Sequence, residues 1–243
     1  MRVGVVSDIH GNVRALQAVI ADLRQAAPDL VLNLGDHVSG PLEARETADL
    51  LMTAGSHWTH IRGNHDRELV ETPLAQMGMS DAMAAGQLSP KHFDWLRALP
   101  PIAVVDSIRL VHGTERSDLE YLLESVAPPH MHVAPAAQIE ERLARTDEVT
   151  ICCGHSHVPR CINLGGRLLL NPGSVGLPAY NARDHVSETG GTLARYALID
   201  RDRASVSVTF RAVPYDNAAA VALAAKAGRR DWECALLTGY ALR

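Results

Sequence analysis

Five short apolar runs in this 243-residue chain end in the same kind of polar residue, and that repeat constrains the fold more than any other feature. Residues 3–7 run into Asp8 and His10, and residues 29–34 into Gly35-Asp36. Residues 58–61 lead to Arg62-Gly-Asn-His-Asp66, 108–111 to His112, and 149–153 to Gly154-His-Ser-His157. A short Val- or Leu-rich run bounded by turn residues reads as a buried strand. Between the first three runs the spacing turns helical. Val13, Leu16, Val19, Ile20 and Leu23 form one stripe, with Asn12 as its cap and Pro28 beyond its end. Pro41 opens a second helix in which Leu42, Leu50, Leu51 and Met52 are expected to face the core. Strand and helix thus alternate, with polar residues gathered at strand C-terminal ends, where open α/β sheets place their ligands. Asp8 and His10, two apart on extended chain, are expected to face one point.

Residues 67–100 break the alternation. Ser89-Pro90 starts a helix carrying Phe93, Trp95, Leu96 and Leu99, and Met77, Met79 and Met83 read as adaptable packing. The stretch is expected to be a helical insertion beside the strand ends. Residues 102–105 and 108–111 flank Asp106-Ser107 as an antiparallel hairpin, and 135–145 reads as a helix. The remainder is β-rich, with 160–164 and 167–170 joined at Gly165-Gly166, and 192–199 and 205–213 joined by a charged turn over 200–203. Alternation of Arg195, Ala197 and Ile199 with Leu193, Tyr196 and Leu198 predicts a half-buried strand. Residues 217–227 form an Ala-rich helix, and the tail reads as helical through Leu237. With no linker, repeat or low-complexity tract, residues 1–243 read as a single domain of two mixed sheets with helices outside.

A composition of 47% hydrophobic and 21% charged residues is that of an ordinary globular protein. The net charge of -5 counts against a dedicated nucleic-acid binder, which shows a basic face. It leaves room for a small phosphorylated substrate, because metal ions can supply the positive charge locally. Four cysteines are too few and too clustered for a disulfide framework, and the adjacent Cys152 and Cys153 read as small buried hydrophobes. No leader-like opening and no apolar run near 18 residues is present, so a cytoplasmic, non-membrane protein is expected. The Ala-rich C-terminal helix can pack internally or across a dimer, which leaves a homo-oligomer open.

The five run ends offer Asp8, His10, Asp36, Asn64, His65, His112, His155 and His157. Mixed oxygen and imidazole donors suit manganese, iron or zinc better than magnesium or calcium. Without His65, the seven that remain exceed the needs of one hydrated ion, and two ions sharing a carboxylate would use them all. Paired ions about 3.5–4 Å apart clamp the attacking and leaving oxygens of a phosphoryl displacement.

In this order, Asp-x-His, Gly-Asp, Gly-Asn-His-Asp, His-Gly and Gly-His-Ser-His resemble the calcineurin-like metallophosphoesterase superfamily. Ser7-Asp-Ile-His-Gly-Asn12, Val111-His-Gly113, Glu120-Tyr121 and Asn171-Pro-Gly-Ser-Val175 are similar to its compact bacterial and archaeal phosphodiesterase branch, and the motifs cover about residues 1–176. The resemblance implies a four-layer αββα sandwich and a dinuclear-metal phosphoesterase that hydrolyses a small phosphodiester or phosphomonoester. It assigns Asp8, His10 and His157 to one ion, Asn64, His112 and His155 to the other, and Asp36 to both. A hydroxide shared by the ions is then the nucleophile, and His65 donates a hydrogen bond or proton to phosphate and leaving oxygen. The chain departs from the protein-phosphatase branch, since Gly35-Asp-His-Val-Ser-Gly40 lacks that branch's Asp-Arg pair and Asp66 follows His65. Protein phosphatase activity is therefore not expected.

Other residues stay open at the level of sequence. Asn12 and Arg62 lie within two residues of candidate ligands and could contact phosphate, or could serve as a helix cap and an ion-pair partner. Asn171-Pro-Gly-Ser174 fits a phosphate-facing turn or simply a tight turn. His130-Met-His132 is expected in a solvated loop and His37 at the site's rim. His57, His60, His92 and His185 carry no assignment. Two alternatives compete with the hydrolase: a catalytically silent scaffold of the same fold, against which the full ligand set counts, and a nuclease, against which the acidic balance counts.

Overall fold

The computed structural model describes residues 1–55, 57–143, 147–202 and 205–243. It begins with β1 (Arg2–Val6), α1 (Val13–Ala26), β2 (Leu30–Asn33), α2 (Ala44–Met52) and β3 (Trp58–His60). Three helices follow, α3 (Asn64–Glu71), α4 (Met79–Ala85) and α5 (Pro90–Ala98), then a hairpin of β4 (Ala103–Val105) and β5 (Ile108–Leu110). A second hairpin, β6 (Glu124–Ala127) and β7 (His130–Val133), precedes α6 (Ala136–Arg142) and β8 (Thr150–Cys152). Next come β9 (Arg160–Leu164), β10 (Arg167–Asn171), β11 (Ala179–Asn181) and β12 (Val186–Glu188). The chain closes with β13 (Ala194–Arg201), β14 (Val206–Val213), α7 (Asn217–Lys226) and α8 (Arg230–Thr238).

The strands assemble into two five-stranded mixed sheets, ordered β14-β13-β1-β2-β3 and β4-β5-β8-β10-β9. Between them Val3, Val5, Leu32 and Leu34 meet Ile108, Leu110, Cys152 and Leu170 in one apolar layer. Full burial of each such side chain contributes about 1.5–3 kcal/mol. The outer face of the first sheet packs Val6, Val31, Tyr196 and Leu198 against Leu16, Val19 and Leu23 of α1. The second sheet turns Ile151 and Leu169 toward Ile139 of α6. Helix, sheet, sheet and helix therefore stack as four layers, and β1, β2, β5 and β8 all deliver their C-terminal ends to one rim.

Local details follow from this packing. Asn12 caps α1 by accepting from the Ala15 amide at 3.1 Å, and the buried stripe of that helix is the one its spacing predicts. Pro41 does not begin a helix. The chain stays irregular as far as Glu43, because Gly11 and Gly40 use backbone bonds to tie this loop to the site and to Ser80, and Met52 faces solvent rather than core. β13 is covered on both faces, with Tyr196 and Leu198 under α1 and Ala197 and Ile199 in the sandwich interior, so it is not half-buried as its alternation suggests. It lies between β1 and β14, and Leu193 falls outside it. His130 and His132 lie on β7 rather than in a loop, paired with Ala127 and Ser125 and exposed. The end of the expected 135–145 helix and residue 203 of the expected turn lie outside the described residues. Among the described residues no helix is long and apolar enough to cross a membrane.

Candidate metal centre

Three tight turns at strand ends, after β1, β2 and β8, shape the rim. Asp8, His10, Asp36, His155 and His157 all have positive φ, between 51° and 66°. Left-handed backbone costs a residue with a side chain roughly 1–2 kcal/mol, so the surroundings must hold each of these turns in place. They do so through the backbone. The Asp8 amide donates to Gly35 O at 3.0 Å, those of Ile9 and His10 donate to Asp36 O, and that of Gly176 donates to Asp8 O. Asp8 and His10 converge because both bend into this turn, not because they alternate on an extended strand.

The side chains form two groups whose donor atoms lie within 4.8 Å of one another: Asp8, His10 and His157, and Asp36, His112 and His155. In the first, His10 Nε2 lies 3.1 Å from His157 Nε2, which is 3.4 Å from Asp8 Oδ1. In the second, His112 Nε2 is 3.3 Å from Asp36 Oδ2 and 3.1 Å from Asn64 Oδ1. Asp36 Oδ2 is also 3.8 Å from His10 Nε2, so this carboxylate faces both groups. The remote ring nitrogens explain the orientation. His112 Nδ1 donates to Leu34 O and His157 Nδ1 to Leu177 O, each at 2.7 Å, which turns each Nε2 lone pair inward. His155 Nε2 donates to Leu119 O at 3.2 Å and leaves Nδ1 available. Such remote bonds fix ligand histidines, and the donor set suits a divalent transition cation. Asp8 Oδ2 is buried without a hydrogen-bond partner among the described residues, as an oxygen awaiting a cation would be.

The electrostatics agree. Burial opposes ionisation of Asp8, but His157 and His112 overcome it and hold the carboxyl at about 2. Asp36 is likewise held well below the carboxylate range, with burial overcome by His112 and His65. Burial and the neighbouring imidazoles push His10 and His155 down to about 3, so both are neutral and able to ligate. His112 resists burial and is raised to about 10 because Asp36 and Asp8 attract positive charge to that spot.

Asp66, to which the sequence reading gave no role, holds this arrangement. Asp66 is fully buried and accepts from the amides of Asp36, His37 and Gly63 at 2.8, 3.0 and 2.9 Å, and from His37 Nδ1 at 2.7 Å. His37 is therefore buried behind the site and not on its rim. Gly63 is required by close approach, because a Cβ there would lie 2.2 Å from Asp36 Oδ1. Asn171 donates to Gly154 O at 2.7 Å and Ser174 Oγ to Asp8 O at 2.7 Å, so the Asn-Pro-Gly-Ser turn clamps backbone rather than facing a ligand.

His65 projects beside the two groups, its amide donating to Asp36 Oδ1 at 2.9 Å and its Nδ1 lying 2.8 Å from Asp81 Oδ1. It lines a cavity of about 180 Å³ together with His10, Asp36, His155 and His157. The opposite wall includes Tyr180, Ser80, Arg229 and Trp232. Arg229 is held by Asp231 through Nε and Nη2 and by Ser80 through Nη1, and the Trp232 ring stands edge-on to His10 at 5.9 Å. Part of the site's far wall thus comes from the start of the C-terminal helix. Asn12 and Arg62 lie elsewhere. Asn12 is buried, capping α1 and donating to Gly176 O and Tyr215 Oη, while Arg62 pairs with Glu71 at 3.3 Å. Their structural readings account for both.

Comparison with known proteins agrees with this architecture. A structure of a metallophosphoesterase from Sphaerobacter thermophilus is similar at 26% identity and a TM-score of 0.76, over 98% of this chain and 100% of that one. The hypothetical protein PH1004 from Pyrococcus horikoshii OT3 has a TM-score of 0.73 at 18% identity, over 98% of each chain. The uncharacterized protein MJ0912 of Methanocaldococcus jannaschii is 23% identical over 88% of each chain. The family model described as a calcineurin-like phosphoesterase superfamily domain matches residues 1–200, and the chain belongs to that superfamily of metal-dependent phosphoesterases.

Proposed function

We propose that this protein hydrolyses a compact phosphodiester or phosphomonoester with two divalent transition cations. Asp8, His10 and His157 would hold one, Asn64, His112 and His155 the other, and Asp36 would touch both. The observation that supports this most is the position of Asp36 Oδ2 between His10 Nε2 and His112 Nε2, at 3.8 and 3.3 Å. Bound cations, manganese or iron by the donor chemistry, would bring the pKa of water near neutral and offset phosphate charge.

The chain's own residues supply the rest. His65 turns its ring toward the cavity while Asp81 holds Nδ1, which suits it to give a proton to a leaving oxygen from Nε2. Burial works against its charge, and Asp36 and Asp81 raise it to about 9. The wall of Trp232, Arg229 and Tyr180 leaves room for a small organic group and favours a small molecule over a polymer. All four cysteines are free, which fits a reducing, cytoplasmic setting.

The test is to load the purified protein with Mn²⁺, count bound metal, and assay p-nitrophenyl phosphate and bis-p-nitrophenyl phosphate. Two ions per chain and turnover lost in His112→Ala are expected. A wild-type protein that binds no manganese, or that binds it and hydrolyses neither ester, would overturn the reading.

A further inference from the structure

A chain of hydrogen bonds leads from the surface to His155. Asp184 Oδ1 lies 2.8 Å from His185 Nδ1, and His185 Nε2 lies 2.9 Å from the Tyr121 hydroxyl. That hydroxyl is 2.7 Å from Tyr180 Oη, which donates to His155 O at 3.1 Å. Asp184 is exposed, whereas the His185 side chain is only 9% accessible. At the inner end Tyr121 stacks on the His155 ring at 4.8 Å and 30°, and Tyr180 stands edge-on to the His157 ring at 4.6 Å.

Counting hydrogens fixes the direction of this chain. Four contacts link five groups, and each contact needs one hydrogen. The His155 carbonyl has none to give, and each tyrosine brings one. The Asp184–His185 pair must therefore hold two between its own contact and the one to Tyr121. With only one there, Tyr121 would donate to His185 and Tyr180 would turn to Tyr121, leaving the His155 carbonyl without its donor. The full set of bonds exists only when every hydrogen points inward. His155 needs such a hold because its backbone is left-handed, with φ 66°, and its amide bond to Asp8 Oδ1 is long at 3.3 Å.

We propose that Asp184, His185, Tyr121 and Tyr180 form a proton-ordered chain that positions His155, and through it the cation held by His155, Asn64 and His112. The charged groups around the chain are Asp184 itself, Arg183 beside it, and Glu124 and Asp8 near the two tyrosines. In this role the four chain members act through His155, and Tyr180 also lines the cavity. The inference rests on the metal-centre reading and extends it to residues far from the ligand motifs.

The test is Mn²⁺ titration of the wild type and two variants, reading the two sites separately. Tyr180→Phe keeps the ring and removes two of the four contacts, and His185→Phe puts a larger ring without hydrogen-bonding atoms in place of the imidazole and removes the other two. Each variant is expected to weaken one Mn²⁺ site by at least about tenfold while the other site keeps its affinity, the scale found when a ligand's supporting bond is lost. Wild-type affinity at both sites in folded Tyr180→Phe would overturn the proposal. If the wild type itself binds no manganese, the metal-centre reading falls first and takes this one with it. If the wild type binds two ions and the variants match it, only the chain falls.

Discussion

His65 Nδ1 lies 2.8 Å from Oδ1 of Asp81, a carboxylate carried on α4 and only 5% exposed. The contact fixes the ring so that Nε2 is the nitrogen left for the cavity, and with Asp36 it outweighs burial to lift His65 to about 9. Asp81→Asn is nearly isosteric and removes the charge. It should leave Mn²⁺ content unchanged and lower kcat by roughly 10²-fold on an alkyl phosphate, where the leaving oxygen needs a proton most. The sign of the pH effect follows: without the carboxylate His65 loses its proton at lower pH, so the alkaline limb of kcat moves toward acid. A pH–rate profile with an unmoved alkaline limb would remove the acid role from His65.

Gly63 makes a steric prediction. Its φ of −89° suits any residue, so an alanine would not strain the backbone itself. The added Cβ would instead meet Asp36 Oδ1 at 2.2 Å and the Asp36 amide nitrogen at 2.5 Å. The amide cannot retreat, because Asp66 holds it together with Gly63. Gly63→Ala should therefore displace the carboxylate that faces both groups, reduce bound Mn²⁺ at both sites and cost about 1–3 kcal/mol of stability, as overpacking does. Metal content and urea midpoint measured together check it; normal metal content would show that Asp36 can move aside.

What the sequence made legible and what it hid divide along a physical line. The strand ends could be read because apolar runs of four or five residues stop abruptly at Asp8, Asp36, His112 and His155, a local pattern. Two mixed sheets with helices outside followed from the same runs, and the four-layer order from the family resemblance. Asp66 and Asp81 were hidden because their work is done on partners 30 and 16 residues away, through polar bonds that leave no periodicity. The cavity's far wall was hidden for the same reason: Arg229 reaches Ser80 across 149 residues. β11, β12 and the β6–β7 pair were missed because strands of three or four residues, partly exposed, give too little alternation to separate them from loop. One local rule misled as well, since Asp8 and His10 meet through left-handed turns rather than strand alternation.

His60 sets an acid limit on stability. Asn33 Oδ1 accepts from the Gly35 amide at 3.4 Å, which points its Nδ2 at His60 Nδ1, 3.2 Å away. That ring nitrogen is thus an acceptor and cannot take a proton without losing the bond. Burial first, and His37 second, push His60 down to about 3, whereas an unfolded histidine titrates near about 6.5. Between those values the unfolded chain binds the extra proton, so stability falls as pH falls, by up to about 1.4 kcal/mol per pH unit for this one group. His60→Gln should flatten the slope of unfolding free energy between roughly pH 6 and 4 by close to one proton relative to wild type. Parallel slopes for the two proteins would mean His60 takes up its proton in the folded state.

Trp232 closes one side of the cavity. Its ring lies across Gly40, where a Cβ would be 2.3 Å away, stands edge-on to His10 and has Arg229 over it at 5.6 Å. It also packs with Leu42, Ala179 and Leu236, which fastens α8 to the rest of the chain and makes the wall rigid. Trp232→Leu keeps an apolar anchor in that cluster while shortening the side chain that closes the cavity of about 180 Å³. If the wall excludes by size, kcat/KM for bis-p-nitrophenyl phosphate should rise against that for methyl phosphate by roughly tenfold, the scale on which pocket shape discriminates. A wall that only stabilises the fold predicts something different. The melting temperature would drop, both substrates would lose activity in proportion, and their ratio would stay where it was; the ratio is therefore the measurement that separates a specificity wall from a structural one.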